Sequence, residues 1–422
     1  MKLPLQFLSS IGLGAGVFAL ASCSGTPSAL PGYAHAPDGS SATRLTYGYA
    51  TLYSFQGGPL DGATPERHLL NVNGTLLGMT TSGGNRCGVG GCGTLFAITP
   101  AGQEHVFYSF KGSASGFSPE AGLVYVNGEL YGTTKEGGAY NRGTVYKVNG
   151  FGTEQVLHSF YKVTRDGAYP EAGLSNFNGT LYGTTHGGGS NGRGTIFKIT
   201  TSGKETVVYA FGTNSRNDGS WPAANLVALK GVLYGTTTGG GKYSGCPHQL
   251  GCGTVFAVTP AGKERVVYNF TGSESDGGQP ASGLTVMNGD LYGTTVFGGL
   301  PRCYAGCGVV FRVTTSGAET VLHRFRSGYD GAYPGAGVAP INGALYGTTT
   351  NGGYYQCSNG CGTVFKISAG RETVLYRFFG VPDGQNPEGA LTEVNGVLYG
   401  TTAYGGTYCY YYGCGTVYEI LP

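Results

Sequence analysis

The pentapeptide L-Y-G-T-T, written once as LLGMT, begins at Leu76, Leu130, Leu181, Leu233, Leu291, Leu345 and Leu398, at spacings of 54, 51, 52, 58, 54 and 53 residues. A repeat period near 50 points to a propeller, a solenoid or a similar array. Each unit reads as four strands. In the second, GLVYV (122–126) meets an Asn127-Gly128 turn and ELYGTT (129–134). A glycine-rich loop then leads to GTVYKV (143–148), a short turn and EQVLHSF (154–160). Asn-Gly between strand-like runs is the strongest short-range hairpin signal. It recurs in six units, with Lys230-Gly231 in the other.

The fourth strand decides the architecture. Its copies are TLYSF (51–55), VFYSF (106–110), VLHSF (156–160), VVYAF (207–211), VVYNF (266–270), VLHRF (321–325) and VLYRF (374–378). The first precedes the first L-Y-G-T-T segment, and the last unit stops after GTVYEI (415–420) without a fourth strand. A ring resolves the offset, because the spare N-terminal strand completes the last blade. Closure also removes the exposed edges that an open sheet must protect. The expected fold is all-β: a seven-bladed β-propeller of four-stranded blades over residues 49–422.

Composition narrows the function. Lys and Arg number 25 against 23 Asp and Glu, so no nucleic-acid footprint is present. The N-terminus reads as an export signal over residues 1–22, with an apolar stretch too short to span a bilayer. LASC (20–23) resembles the lipobox of bacterial lipoproteins. The resemblance implies an acylated Cys23 that anchors the chain to a membrane. Ser24 after it implies outer-membrane sorting, periplasmic or surface-facing. Residues 23–48 then form a flexible tether, and the chain is expected to be a monomer.

In a four-stranded meander, the tight Asn-Gly turns share one face with the short third-to-fourth turns. The opposite face carries the long second-to-third loops and the crossings between blades, where function usually resides. Removing Cys23 from the 11 cysteines leaves five close pairs in those loops. They are Cys87/Cys92, Cys246/Cys252, Cys303/Cys307, Cys357/Cys361 and Cys409/Cys414. Close pairs in an exported chain favour disulfides over zinc, which needs four ligands. Loops this short gain only about 2 kcal/mol each from closure, so the bonds are expected to fix loop shape rather than hold the propeller together. Blades 2 and 3 place Arg142 and Arg193 at the second cysteine's position. Trp221 and many tyrosines lie in the same loops, among them Tyr169, Tyr333, Tyr354, Tyr355, Tyr408, Tyr410 and Tyr411. Such residues suit recognition of sugars or peptides, and equally suit packing over the blade ends.

The crossings share D-G-x-x-P, and the aspartates are expected to form Asx-turns with the following glycine. Glu66, Glu120, Glu171 and Glu388 follow the proline in four blades that become neighbours on ring closure. They predict an acidic arc at one side of the channel mouth, either free for a ligand or paired with Arg142 and Arg193. His186 is the best lone base, with Glu120 and Glu171 as weaker catalytic candidates. His158 and His323 replace a strand tyrosine and are expected to pack. No cofactor or metal motif is read.

The repeat, with LYGTT, GG, GTVF and ETVLYSF in order over residues 49–422, resembles the GloVer tandem-repeat family of exported bacterial proteins. That family is known for diverse surface anchors and carries no established activity. The first expectation is a non-catalytic, lipid-anchored envelope or cell-surface protein whose loop-rich face binds a glycan or protein. The alternatives are a glycan-active lyase or hydrolase on the same face, and a scaffold resembling the propeller lipoprotein of outer-membrane barrel assembly.

Overall fold

The computed structural model describes residues 48–422 except 66, 86, 89, 151, 162–165, 213–216, 248–250 and 410–412. The export signal, Cys23, the tether, Glu66, Tyr410 and Tyr411 therefore lie outside the described residues. Within the unit His35–Pro422, each repeat forms an antiparallel four-stranded blade in sequence order. Blade 2 is Val124–Val126, Glu129–Thr134, Thr144–Val148 and Glu154–Ser159. Blade 7 differs as expected. Its fourth strand is Tyr49–Ser54, paired antiparallel with Thr416–Ile420, so the ring closes through the N-terminal strand.

The Asn-Gly turn adopts a mirror-type hairpin geometry, with φ 52° at Asn127 and 87° at Gly128. Both central residues need positive φ, which asparagine and glycine tolerate best. The L-Y-G-T-T segment then distributes its side chains by role. Leucine and tyrosine enter the core, as Leu181 and Tyr182 do. The glycine lies beneath the aromatic ring of the next strand. A Cβ on Gly183 would come 2.5 Å from Phe197 Cζ, its cross-strand partner.

The two threonines divide the remaining work. In six blades the first donates its hydroxyl to a backbone carbonyl just before the next blade, at 2.7–3.3 Å, as Thr133 does to Ala172. Blade 1 has Met79 there, and its sulfur accepts the Tyr146 hydroxyl at 3.2 Å. The second threonine pairs with the threonine that opens the third strand, at 2.8–2.9 Å in six blades. The motif recurs because each letter satisfies a packing or hydrogen-bonding need inside a closed ring.

Adjacent blades also meet through aromatic rings. The phenylalanine that ends each fourth strand packs edge-on against the third-strand aromatic of the next blade, with centroids 5.0–5.2 Å apart at all seven seams. Such pairs contribute about 0.5–1.5 kcal/mol beyond their buried area.

The aspartate of D-G-x-x-P does more than form an Asx-turn. Asp61 Oδ1 accepts the Gly62 N–H at 2.6 Å, as expected. Its Oδ2 accepts the Gln56 N–H at 2.6 Å and the Tyr53 hydroxyl at 3.0 Å. The aspartate thus ties the crossing back to the outer strand it has just left, and its equivalents Asp166, Asp218, Asp276 and Asp383 are buried too.

Candidate functional site

The P-E-A-G-L segments after the crossings come together on the ring axis. All seven blades line a central cavity of about 330 Å³ there, including Arg67, Gly122, Glu171, Ala224, Gly283 and Glu388. The wall is uneven. Glu388 of blade 7 and Glu171 of blade 3 line it, while blades 4 and 6 present Ala223 and Gly335 at the equivalent positions.

Glu120 and Glu171 are paired, but not with the arginines the sequence suggested. Lys135 Nζ lies 3.1 Å from both Glu120 Oε2 and Glu171 Oε1. His186 Nδ1 lies 3.3 Å from Glu171 Oε2. Arg67 donates from Nε to the Glu120 carbonyl at 2.7 Å. Arg142 instead donates to the Tyr169 hydroxyl at 3.0 Å and sits over that ring. Arg193 packs against Gly212, the position that contacts a disulfide in other blades. The two arginines substitute for disulfides as loop packing, and so they are turned away from the glutamates.

Electrostatics follow from these pairings. Burial pushes the Glu171 carboxyl up, but His186 and Lys135 outweigh it and hold it at about 2. Burial raises Glu388, with Glu120 adding to the rise and Arg67 opposing it. Lys135 is raised because Glu171 and Glu120 outweigh its burial. A carboxylate held like Glu171 stays ionised at neutral pH and is a poor proton donor. The structure brings His186, Glu120 and Glu171 together, in an arrangement suited to accepting polar groups. Sequence reasoning missed Lys135 and Arg67. The signal was present, since Lys135 and His186 occupy the same place, directly after L-Y-G-T-T.

A second ring lies beside this one. The residue before the proline of D-G-x-x-P has positive φ in every blade: Thr64, Ser118, Tyr169, Trp221, Gln279, Tyr333 and Asn386, at 51–58°. Proline disfavours this conformation in the residue before it, and bulky side chains rarely adopt it. Backbone bonds on both sides hold it. Tyr169 donates its N–H to the Arg142 carbonyl at 2.9 Å and accepts the His186 N–H at 3.0 Å. Trp221 does the same between Arg193 and Thr238. The backbone is thus repeated while the side chain changes from blade to blade. The Trp221 ring stacks beside His186, with centroids 6.3 Å apart. Tyr333 meets Phe297 edge-on.

All five expected disulfides are present: Cys87–Cys92, Cys246–Cys252, Cys303–Cys307, Cys357–Cys361 and Cys409–Cys414, with Cα–Cα distances of 5.0–5.6 Å. They place the folded body in an oxidising compartment outside the cytoplasm. Their role differs from the expected one of shaping surface loops alone. The second cysteine of every pair is buried, with Cys92 and Cys414 only 5% exposed and Cys252, Cys307 and Cys361 at 0%. Each of these five sulfurs belongs to a hydrophobic cluster of the core. The cause is position: the cysteine stands two residues before the third strand, which carries it into the packed blade. Cys92, Cys252, Cys307, Cys361 and Cys414 are therefore core residues that tether the loop to the blade, and they offer no contact to a ligand. The Cys246 sulfur also packs so closely on Gly272 that a Cβ there would lie 2.3 Å from it, which fixes the loop against the outgoing crossing.

The loop tyrosines divide by place. Tyr354, Tyr355 and Tyr408 lie exposed on these loops, with Tyr355 at 70%. They do not join the channel mouth. Tyr354 meets Tyr329 edge-on at the rim of blade 6. Tyr131 and Tyr182 are buried between blades, as expected of strand tyrosines.

These features define an exported, disulfide-braced seven-bladed propeller with a variable ring around its channel. The chain belongs to the Gloeobacter/Verrucomicrobia repeat family, whose model matches residues 40–246, 85–304 and 243–422. No curated protein matches the sequence. Among solved structures, a puromycin hydrolase mutant complexed with PGG has a TM-score of 0.50 at 12% identity, covering 82% of this chain and 50% of its own. The chain therefore spans about half of that hydrolase. The computationally designed Ika8 protein has a TM-score of 0.46 at 12% identity, covering 87% of this chain and 100% of its own. An oligogalacturonate lyase from Vibrio parahaemolyticus has a TM-score of 0.45 at 10% identity, covering 89% and 93%. At these identities the hydrolase likeness speaks to the fold alone.

Proposed function

We propose that the protein is a lipid-anchored envelope protein that binds a glycan at the mouth of its central channel. One observation carries the reading: seven residues share one strained backbone geometry around the mouth and differ in side chain. Strain retained at equivalent positions is typical of sites where side-chain placement matters. Trp221 supplies a flat face for a sugar ring beside the ionised Glu171, which together with Glu120 accepts hydroxyl groups. Lys135 and Arg67 supply donors for hydroxyl or acidic substituents. A cavity of about 330 Å³ falls at the lower end of the range for small-molecule sites. Glu171 held as a carboxylate does not favour the hydrolytic alternative.

A glycan array probed with the propeller, residues 48–422, tests the reading. Binding to a defined glycan that Trp221→Ala weakens about tenfold or more supports it. An array with no bound glycan, or binding indifferent to that substitution, rejects it.

A further inference from the structure

At each seam, the residue two before the fourth-strand phenylalanine approaches the crossing to the next blade and the start of that blade's fourth strand. Five seams place a tyrosine there: Tyr53, Tyr108, Tyr209, Tyr268 and Tyr376. Where the aspartate is present, its partner is that tyrosine's hydroxyl, as in Tyr209 to Asp218 at 2.9 Å. Two seams differ. His158 of blade 2 sits with Asp166 and with Glu205 of blade 3, and His323 of blade 5 sits with Asp330 and with Glu372 of blade 6.

In each trio, one imidazole nitrogen and two carboxylate oxygens all lie within 4.8 Å of one another. His158 Nε2 is 3.0 Å from Asp166 Oδ2, and His323 Nε2 is 3.3 Å from Asp330 Oδ1. Glu205 Oε1, Glu372 Oε1 and His323 Nε2 are buried and have no hydrogen-bond partner. The same glutamate oxygen is left without a partner at tyrosine seams, at Glu104, Glu154, Glu264 and Glu319, so what sets these two seams apart is the imidazole nitrogen that joins the carboxylates.

We propose that these trios are two divalent transition-metal sites, with zinc the best-matched ion. One imidazole and two carboxylates form a mixed nitrogen and oxygen set, which zinc accepts and which calcium or magnesium, preferring oxygen alone, matches poorly. Zinc ligands at about 2.0–2.2 Å hold their donors roughly 3.3–3.6 Å apart; the histidine and aspartate of each trio already stand near that spacing, so the glutamate is the ligand that moves in. Three protein ligands leave the fourth position to water. The histidines are partly exposed, at 17% for each side chain, which gives the ion a path in. Each site staples the outer strands of neighbouring blades. The first staples blades 2 and 3, the pair without a disulfide.

The repeat supplies its own control, because tyrosine is the ordinary residue at the histidine position. His158→Tyr and His323→Tyr therefore recreate seams already present in this chain. The full-length protein, stripped with a chelator, is dialysed against micromolar zinc chloride, and bound metal is counted by mass spectrometry. Two equivalents are expected, falling to one in each single variant and to none in the double variant. Zinc is also expected to raise the melting temperature of the parent and not of the double variant. No bound zinc, or zinc that survives both substitutions, overturns the proposal. Loss of an equivalent with only one substitution upholds that seam and overturns the other. Glycan binding at the channel mouth is read separately, so neither result decides the other.

Discussion

The Phe55 ring meets Phe96 edge-on, with centroids 5.0 Å and planes 71° apart. Phe55 ends the N-terminal strand that completes blade 7, and Phe96 belongs to blade 1, so this contact seals the ring. Both rings are fully buried. Phe55→Ala should cost about 3–5 kcal/mol, as large-to-small core changes do. Removing residues 24–46 should leave stability unchanged, because the closing strand begins at Tyr49. Thermal or urea unfolding of the two proteins measures the contrast, and equal stabilities would show that the seam does not need this strand.

Stability should fall as pH rises from 5 to 8.5. Burial, and then Asp61, pushes the Glu104 carboxyl up to about 8. Burial also raises Glu264 and Glu319 to about 7, with Asp218 and Asp276 adding to the rise and Arg265 and Arg324 opposing it. These groups hold protons in the folded chain that the unfolded chain has already released. Their stabilisation is complete below the ordinary carboxylate range near 4.5 and is lost as pH climbs through 7 to 8. Glu104→Gln keeps a neutral group facing Asp61 and Tyr53, so it should flatten the slope. Melting temperatures across this range decide the point; a rising curve would contradict it.

Glu171 acts in the opposite sense and in a different window. Its carboxyl, held at about 2 by His186 and Lys135 against its burial, stabilises the fold above the ordinary carboxylate range and loses that effect as pH falls toward 2. Lys135→Met should raise the pKa of Glu171 while leaving Glu104 unchanged. Carboxyl chemical shifts followed through an acid titration would report both. An unmoved Glu171 would mean that Lys135 contributes little to the arc.

The sequence made the ring legible because its signals were local or countable. Asn127-Gly128 declares its turn in two residues, and the surplus strand at 51–55 emerges from counting alone. Cys357 and Cys361 lie four residues apart, so their pairing needed no tertiary knowledge. The burial of Cys361 did, because it depends on the neighbouring blade that covers it. The partners of the glutamate arc were equally hidden. Lys135 follows a strand and Glu171 follows the next crossing, 36 positions later in the sequence, and only the packing of neighbouring blades sets them 3.1 Å apart. Arg142 was nearer in the repeat alignment but packs on Tyr169. The buried role of Asp61 was half visible: the bond to Gly62 is local, while the bonds to Gln56 and Tyr53 depend on the path of the crossing.

Trp221 is the protein's one tryptophan, so its emission reports directly on the channel mouth. It is half-buried, stacked beside His186, and held in a conformation that its backbone bonds fix. A bound sugar ring against its face should change both the intensity and the wavelength of that emission. Trp221→Ala should weaken binding about tenfold or more, equivalent to about 1.4 kcal/mol. Glu120→Gln should weaken binding less, because Lys135 and Glu171 remain as polar partners. Asn288→Asp, in a tight turn of the opposite face, should leave affinity unchanged. Fluorescence titration of the parent, Glu120→Gln and Asn288→Asp proteins, with calorimetry for Trp221→Ala, gives the full comparison. Equal affinities in the Trp221→Ala and parent proteins would remove the recognition site from the channel mouth.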